Sequence, residues 1–149
     1  MPEVRRTTSD DPGFRTLVAA LDDELWQRYP DVQAEYAPHN AVDHIATVVV
    51  VVDGSRPIGC GCFKPRAPGT VELKRMFVMP EVRGRGVARQ IVEALEQWAR
   101  ELGSTAMVLE TGNNQPEAVA LYTRQGFVQV ARFAPYVDMP TSICMHKTL

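Results

Sequence analysis

A chain of 149 residues with 45% hydrophobic and 23% charged residues has the composition of one globular domain, 1–149. It is long enough to bury roughly two-thirds of its unfolded surface. A formal net charge of −2 argues against nucleic acid as the main partner.

The first strand is expected at Glu3 to Thr7. Arg5 and Arg6 are followed by no apolar stretch of the kind a signal peptide carries, so none is expected. Asp10-Asp11-Pro12 supplies a helix start, with a carboxylate cap and proline at the first helical position. Phe14, Leu17, Val18, Leu21 and Leu25 recur at helical spacing, which predicts one buried face. Asp22, Asp23 and Glu24 are expected on the opposite, solvated face, and Pro30 ends the helix. Residues 30 to 44 show little periodicity and read as a loop or a short irregular helix. Tyr29, Tyr36 and His39 are its residues best suited to touch a substrate.

Ile45 to Val52 is almost entirely β-branched, the mark of a strand covered on both faces. It is the longest apolar run and far too short to span a bilayer. Asp53-Gly54-Ser55 is a turn, Pro57 to Lys64 a returning strand, Arg66 to Gly69 a second turn, and Thr70 to Met79 a third strand. Cys60, Cys62 and Cys144 form no disulfide framework. With His39, His44 and His146 they also lack ligand spacing, so no metal is expected and the thiols read as small buried fillers in a reducing cytoplasm.

The segment Met76 to Arg89 carries the chemistry. A strand runs into Pro80, then into Arg83-Gly84-Arg85-Gly86, then into the first turn of a helix at Val87-Ala88-Arg89. Glycines 84 and 86 let the backbone turn tightly and approach a ligand. The following helix start offers unpaired N–H groups and the positive end of its dipole. Three arginines surround it, so the loop reads as a pyrophosphate cradle. It lacks the Gly-Lys-Ser/Thr ending of a P-loop and the third glycine of a dinucleotide fingerprint.

Val87, Ile91, Leu95, Trp98 and Leu102 continue as one helical stripe, closed by Gly103. Ala106 to Glu110 is a short buried strand. A helix separates it from the preceding strand, so the two are expected to run parallel with a right-handed crossover. Pro116 opens another helix with Ala118, Val119, Leu121 and Tyr122 inward and Gly126 at its end. Phe127 to Arg132 and Ser142 to Lys147 finish as strands. The order predicts an α/β fold with a mixed central sheet flanked by helices.

Arg83-x-x-Gly86-x-Ala88 resembles the acyl-CoA loop of the GCN5-related N-acetyltransferases (GNAT). Glu72 to Val78 is similar to the strand before that loop, and Ala118 to Phe127 to the second signature; the similarity covers residues 71 to 127. The resemblance implies a GNAT-like fold whose central strands splay to admit acyl-pantetheine. It also implies acetyl-CoA as cosubstrate and acetyl transfer, by direct attack in a ternary complex, to a primary amine of a small molecule or peptide. Met76, Phe77, Val78, Arg83, Gly84, Arg85, Gly86, Val87, Ala88, Arg89 and Gln115 would contact the coenzyme, with Gln115 where the family usually has asparagine and Asn113 or Asn114 able to take over. A backbone N–H near Val78 would meet the oxyanion, and Tyr122 would protonate the departing thiolate. Glu72 would serve as base, with Glu110 competing for that role. Glu35, Glu110 and Tyr136 are expected to hold the acceptor, read as a small cationic amine because rings and carboxylates both attract an ammonium. An acyl-CoA-binding sensor or partner-binding domain without turnover is the alternative, and oligomeric state, a homodimer included, is left open.

Overall fold

Asp11 opens the first helix as expected: its carboxylate accepts from the N–H of Phe14 at 3.0 Å, with Pro12 next to it. The computed structural model describes residues 2–40 and 44–149, without the side chains of 39 and 40. The expectation for His39 therefore lies outside the described residues. The elements run β1 (Pro2–Thr7), α1 (Pro12–Arg28), α2 (Gln33–Tyr36), β2 (Val48–Asp53), β3 (Arg56–Ala67), β4 (Thr70–Val78), α3 (Val87–Glu101), β5 (Ala106–Gly112), α4 (Pro116–Arg124), β6 (Val128–Val130) and β7 (Ser142–Thr148).

The seven strands form one mixed sheet in the order β1-β2-β3-β4-β5-β7-β6, in which β4 and β5 pair in parallel and the other neighbours antiparallel. The valine run divides between two cores because side chains alternate along a strand. Val49 and Val51 pack toward α3 with Ile91, Leu95 and Phe127, whereas Val48, Val50 and Val52 pack toward α1 with Phe14, Leu17 and Leu21. Cys60 and Cys62 are buried free thiols in the α1-side core. Burial pushes the Cys62 thiol up to about 12. Close approach of α3 depends on Gly61 in β3: a Cβ there would lie 2.9 Å from Ile91 Cγ2 and 3.1 Å from Leu95 Cδ1.

Several boundaries differ from the expectations, among them β5, which runs on past Glu110 to Gly112. Strand β2 begins at Val48 rather than Ile45, because β1 ends opposite it at Thr7 and Ile45 instead exchanges hydrogen bonds with Ser9. Arg66 and Ala67 extend β3, leaving Pro68-Gly69 as the turn. The strand expected from Phe127 shrinks to three exposed residues paired on one side only. No helix among the described residues is long and apolar enough to cross a membrane.

Two irregularities in β4 and β5 make room for a site. Pairing between these strands covers Thr70–Leu73 and Ala106–Leu109 and then stops, so the strands splay. Beyond that point β5 continues only with β7, where Glu110 faces Cys144. The register of β3 with β4 slips between Cys60 and Cys62, and Arg75 adopts φ 58°, a β-bulge beside the split.

Candidate active site

Two cavities meet in the gap between β4 and β5. The first, about 510 Å³, is lined by Met76, Phe77 and Val78, by the loop from Val82 through Arg83, Gly84 and Gly86, by Val87, Ala88 and Arg89 of α3, and by Gln115 with one face of α4. The second, about 130 Å³, lies on the α1 side and includes Tyr29, Gln33, Tyr36, Glu72, Lys74, Glu110 and Tyr136. Tyr122 lines both.

The larger cavity has the features of an anion cradle. Gly84 and Gly86 sit at φ 82° and 83°, and a Cβ at either would meet nothing within 4 Å, so both face open space. Gly86 is the N-cap of α3 and no side chain caps the helix. Its first N–H groups are available to phosphate oxygens, the geometry a pyrophosphate needs. Arg89 lines this groove, whereas Arg85 is exposed and stands outside its lining. Arg83 is held: its Nε donates to the Val78 carbonyl at 2.8 Å, and its terminal nitrogens reach Glu24 at 3.2 and 3.0 Å. Gln115 stands at the N-cap position of α4 without a side-chain capping bond; its side-chain oxygen instead accepts from Gly112 N–H at 3.3 Å.

Charges expected to face water on α1 fasten the site instead. Glu24 pairs with Arg83 and also with Arg28, and Arg28 crosses to Glu117 of α4 at 2.6 Å. Asp22 pairs with Arg75, whose side chain is buried. Tyr29 hydroxyl accepts from the N–H of Asn114 at 3.0 Å, so the end of α1 is tied to the loop after β5. The Glu24, Arg28, Arg83 and Glu117 pairs lie along the larger cavity, whereas Arg75 and Tyr29 line the smaller one.

Within it, Glu72 and Lys74 alternate on the face of β4 opposite Leu73. Glu72 is buried and bound three ways, to Lys74 Nζ at 3.3 Å, to Arg66 at 3.5 Å and to the Tyr136 hydroxyl at 3.2 Å. Lys74 also donates to the Tyr136 oxygen at 3.1 Å. Burial holds the Lys74 ammonium below its usual range against the pull of Glu72. Burial, then the charges of Glu72 and Glu110, push the Tyr136 phenol up.

Glu110 is less encumbered. Its side chain accepts from Ser142 Oγ at 2.8 Å, and burial raises it to about 7 although that bond and Lys74 both lower it. Ser142 Oγ lies 2.8 Å from the Tyr36 hydroxyl, which lies 2.5 Å from Thr141 Oγ1. Because Ser142 gives its one proton to Glu110, Tyr36 donates to Ser142 and Thr141 to Tyr36. Tyr122 has no hydrogen-bond partner for its hydroxyl among the described residues; burial, and then the Glu110 charge, push it up and keep it protonated. Of the expected acceptor residues, Glu110 and Tyr136 reach this cavity. Glu35 is exposed, and Gln33 and Tyr36 are the residues of α2 that turn inward.

Comparison with known proteins agrees with this geometry. The acetyltransferase (GNAT) family model matches residues 9–127. The chain belongs to this family. It is 42% identical over 93 residues to an IAA acetyltransferase of Azospirillum brasilense, covering 62% of the chain and 61% of that protein. It is 28% identical over 127 residues to an aminoglycoside N(6')-acetyltransferase of Salmonella typhimurium, covering 78% and 86%. A solved structure from Klebsiella pneumoniae, assigned as an acyl-CoA N-acyltransferase, superposes with a TM-score of 0.82 at 32% identity over 100% of this chain and 98% of that one. An N-acetyltransferase from Thermoplasma acidophilum, solved in complex with coenzyme A, shares the fold with a TM-score of 0.75 at 15% identity, over 100% and 99% of the two chains. The chain spans about six-tenths of the length of the first two curated relatives it matches.

In this GNAT chain, Gly86→Asp would set a carboxylate in the open space of the cradle. Acetyl-CoA affinity is expected to fall at least about tenfold, or 1.4 kcal/mol, by calorimetry. Gly54→Asp is the control for backbone strain, since Gly54 has φ 65° and equally open surroundings in the β2–β3 turn. It should leave affinity unchanged. Equal affinity in both variants would remove the cradle from the coenzyme site.

Several site residues escape a reading of sequence alone. Gln33, Thr111 and Thr141 line the smaller cavity, and Ser142 reaches Glu110 from β7. The Glu72-x-Lys74 alternation is the one signal that could have found Lys74 as an inward-facing residue.

Proposed function

We propose that this chain is an acetyl-CoA-dependent N-acetyltransferase that joins acetyl-CoA and a primary amine in one ternary complex. The observation that carries this reading is the Tyr122 hydroxyl, without a hydrogen-bond partner among the described residues, on the wall common to a coenzyme-sized groove and a small polar cavity. Acetyl-CoA supplies an activated acyl thioester. The glycine loop and α3 start would bind its pyrophosphate, and the split between β4 and β5 would admit its pantetheine arm. No cysteine lines either cavity among the described residues, which favours direct attack by the amine over an acyl-enzyme.

The roles of the two candidate bases divide by environment. A general base works best with a pKa near the operating pH, and Glu110, raised to about 7, meets that condition. Glu72 is already tied to Lys74, Arg66 and Tyr136, which suits a positioning role. Glu110 then takes the ammonium proton and Tyr122 returns one to the departing thiolate. Acceptors named for the relatives, IAA and aminoglycosides, differ too widely to identify this one.

The direct test is thiol release from acetyl-CoA in the presence of primary amines, where no release above hydrolysis would favour a sensor that binds without turnover. Ser142→Ala tests the environment of Glu110. The Ser142 bond lowers the Glu110 pKa, so its removal should move the rising limb of kcat/KM to higher pH. An unmoved limb in a folded variant would separate Ser142 from the base.

A further inference from the structure

We infer that the acceptor is a zwitterion of α-amino-acid size, its amine held at Glu110 and its carboxylate at Lys74 and Arg75. This rests on the transfer reading above and deepens it by naming the acceptor class. The juxtaposition comes from the sheet. The last parallel pair is Leu73 with Leu109, so Lys74 and Glu110 are the first residues on each strand past the end of pairing. Both lie on the α1 face, opposite the two leucines, because side chains alternate. A cation and a carboxylate thus flank the apex of the split, at the cavity that Tyr122 joins to the coenzyme groove.

The donors on the cationic side are incompletely used. An ammonium has three N–H donors, and Lys74 uses two, on Glu72 and Tyr136. Arg75 lines the same cavity with a side chain only 2% exposed, and its Nε is buried without a hydrogen-bond partner. The negative charge of Glu72 is already matched by Lys74 and Arg66, and Nη2 of Arg75 is taken by Asp22 and the Val18 carbonyl. What remains is one N–H of Lys74 and the buried Nε of Arg75, on the cationic side of a cavity whose other strand carries Glu110, hydrogen-bonded among the described residues by the Ser142 hydroxyl. A plain cationic amine would meet Glu110 but also Lys74, and it would leave those donors unsatisfied. A carboxylate one carbon from the amine satisfies both ends.

Size agrees. The cavity, about 130 Å³, equals roughly four waters at their liquid volume, enough for a small amino acid and well below the range of drug-sized pockets. Its walls, Tyr29, Tyr36 and Tyr136, leave an amino-acid side chain an aromatic surface to rest on.

The experiment compares thiol release from acetyl-CoA with alanine, serine, leucine and methionine against their carboxamides and against butylamine. At least one free amino acid should exceed its own carboxamide by about tenfold or more in kcat/KM, because sites built around a substrate's polar group reject analogues that lack it. Lys74→Met should collapse that acid-over-amide ratio toward one. Where Lys74→Met fails to fold because Glu72 is left unpaired, the Glu72→Gln/Lys74→Met double variant removes both charges and should collapse the ratio equally. Carboxamides or butylamine turning over as well as every amino acid would overturn the zwitterion while leaving the transfer reading intact. A ratio unchanged by loss of the Lys74 charge would overturn it too. Absence of release with all probes would overturn the transfer reading, and this inference with it.

Discussion

Glu110→Gln is expected to lower kcat by about 10²–10⁴-fold, the usual contribution of a general base, while acetyl-CoA affinity stays near wild type. Glutamine keeps the shape of glutamate and still accepts from Ser142 Oγ, so the fold has no cause to change. In the wild type, kcat/KM should rise with pH to a plateau, with its midpoint near the Glu110 value of about 7; the variant should lack that limb. A second readout follows from linkage. Glu110 is raised in the folded state, so its contribution to stability is fully present below the ordinary carboxylate range and is lost as pH rises through about 7. The wild type should therefore be less stable at pH 9 than at pH 5 on this account, by up to about 3 kcal/mol. Glu110→Gln should remove that part of the dependence. Wild-type turnover and an intact limb in the variant would return the base to Glu72 or to water.

The coenzyme side of the site is legible in the sequence because it is built from local rules. Gly84 and Gly86 are needed where the backbone takes φ 82° and 83°, and the helix after them announces itself by a 3.6-residue stripe. The valine run and the helix between β4 and β5 predict a covered strand and a parallel pair for the same kind of reason. The acceptor side is less legible because distant segments make it. Asp22 and Glu24 read as solvated charges, yet their partners Arg75 and Arg83 stand 53 and 59 residues away. The turn at α2 is four residues long, too short for periodicity to tell outward Glu35 from inward Gln33. The bulge at Arg75 rests on a left-handed φ in a residue other than glycine, which no composition rule foresees. Nor does any local pattern reveal that β4 and β5 part after Leu73 and Leu109; the expectation of a splay came from family resemblance.

Tyr122→Phe separates chemistry from packing at the junction of the cavities. The Tyr122 ring is buried, edge-on to Phe127 at 5.8 Å between centroids, and belongs to the α3-side core. Phenylalanine keeps that contact and loses only the hydroxyl, which makes no hydrogen bond to any described residue. A structural tyrosine of this kind would tolerate the change with little loss of stability, since no partner is orphaned. A proton donor would not: kcat should fall by about 10²–10⁴-fold while calorimetric affinity for acetyl-CoA stays within a factor of two or three, about 0.4–0.7 kcal/mol. The size of the fall should depend on the leaving group, because a thiol has an ordinary pKa near ~8.5 and needs a proton more than an acidic leaving group does. With an acetyl donor whose leaving group is stable as an anion, such as an aryl thioester, the gap between Tyr122→Phe and wild type should narrow. If the gap stays constant across donors, or if turnover on acetyl-CoA is unchanged, Tyr122 contributes its ring alone and the proton reaches the thiolate from solvent.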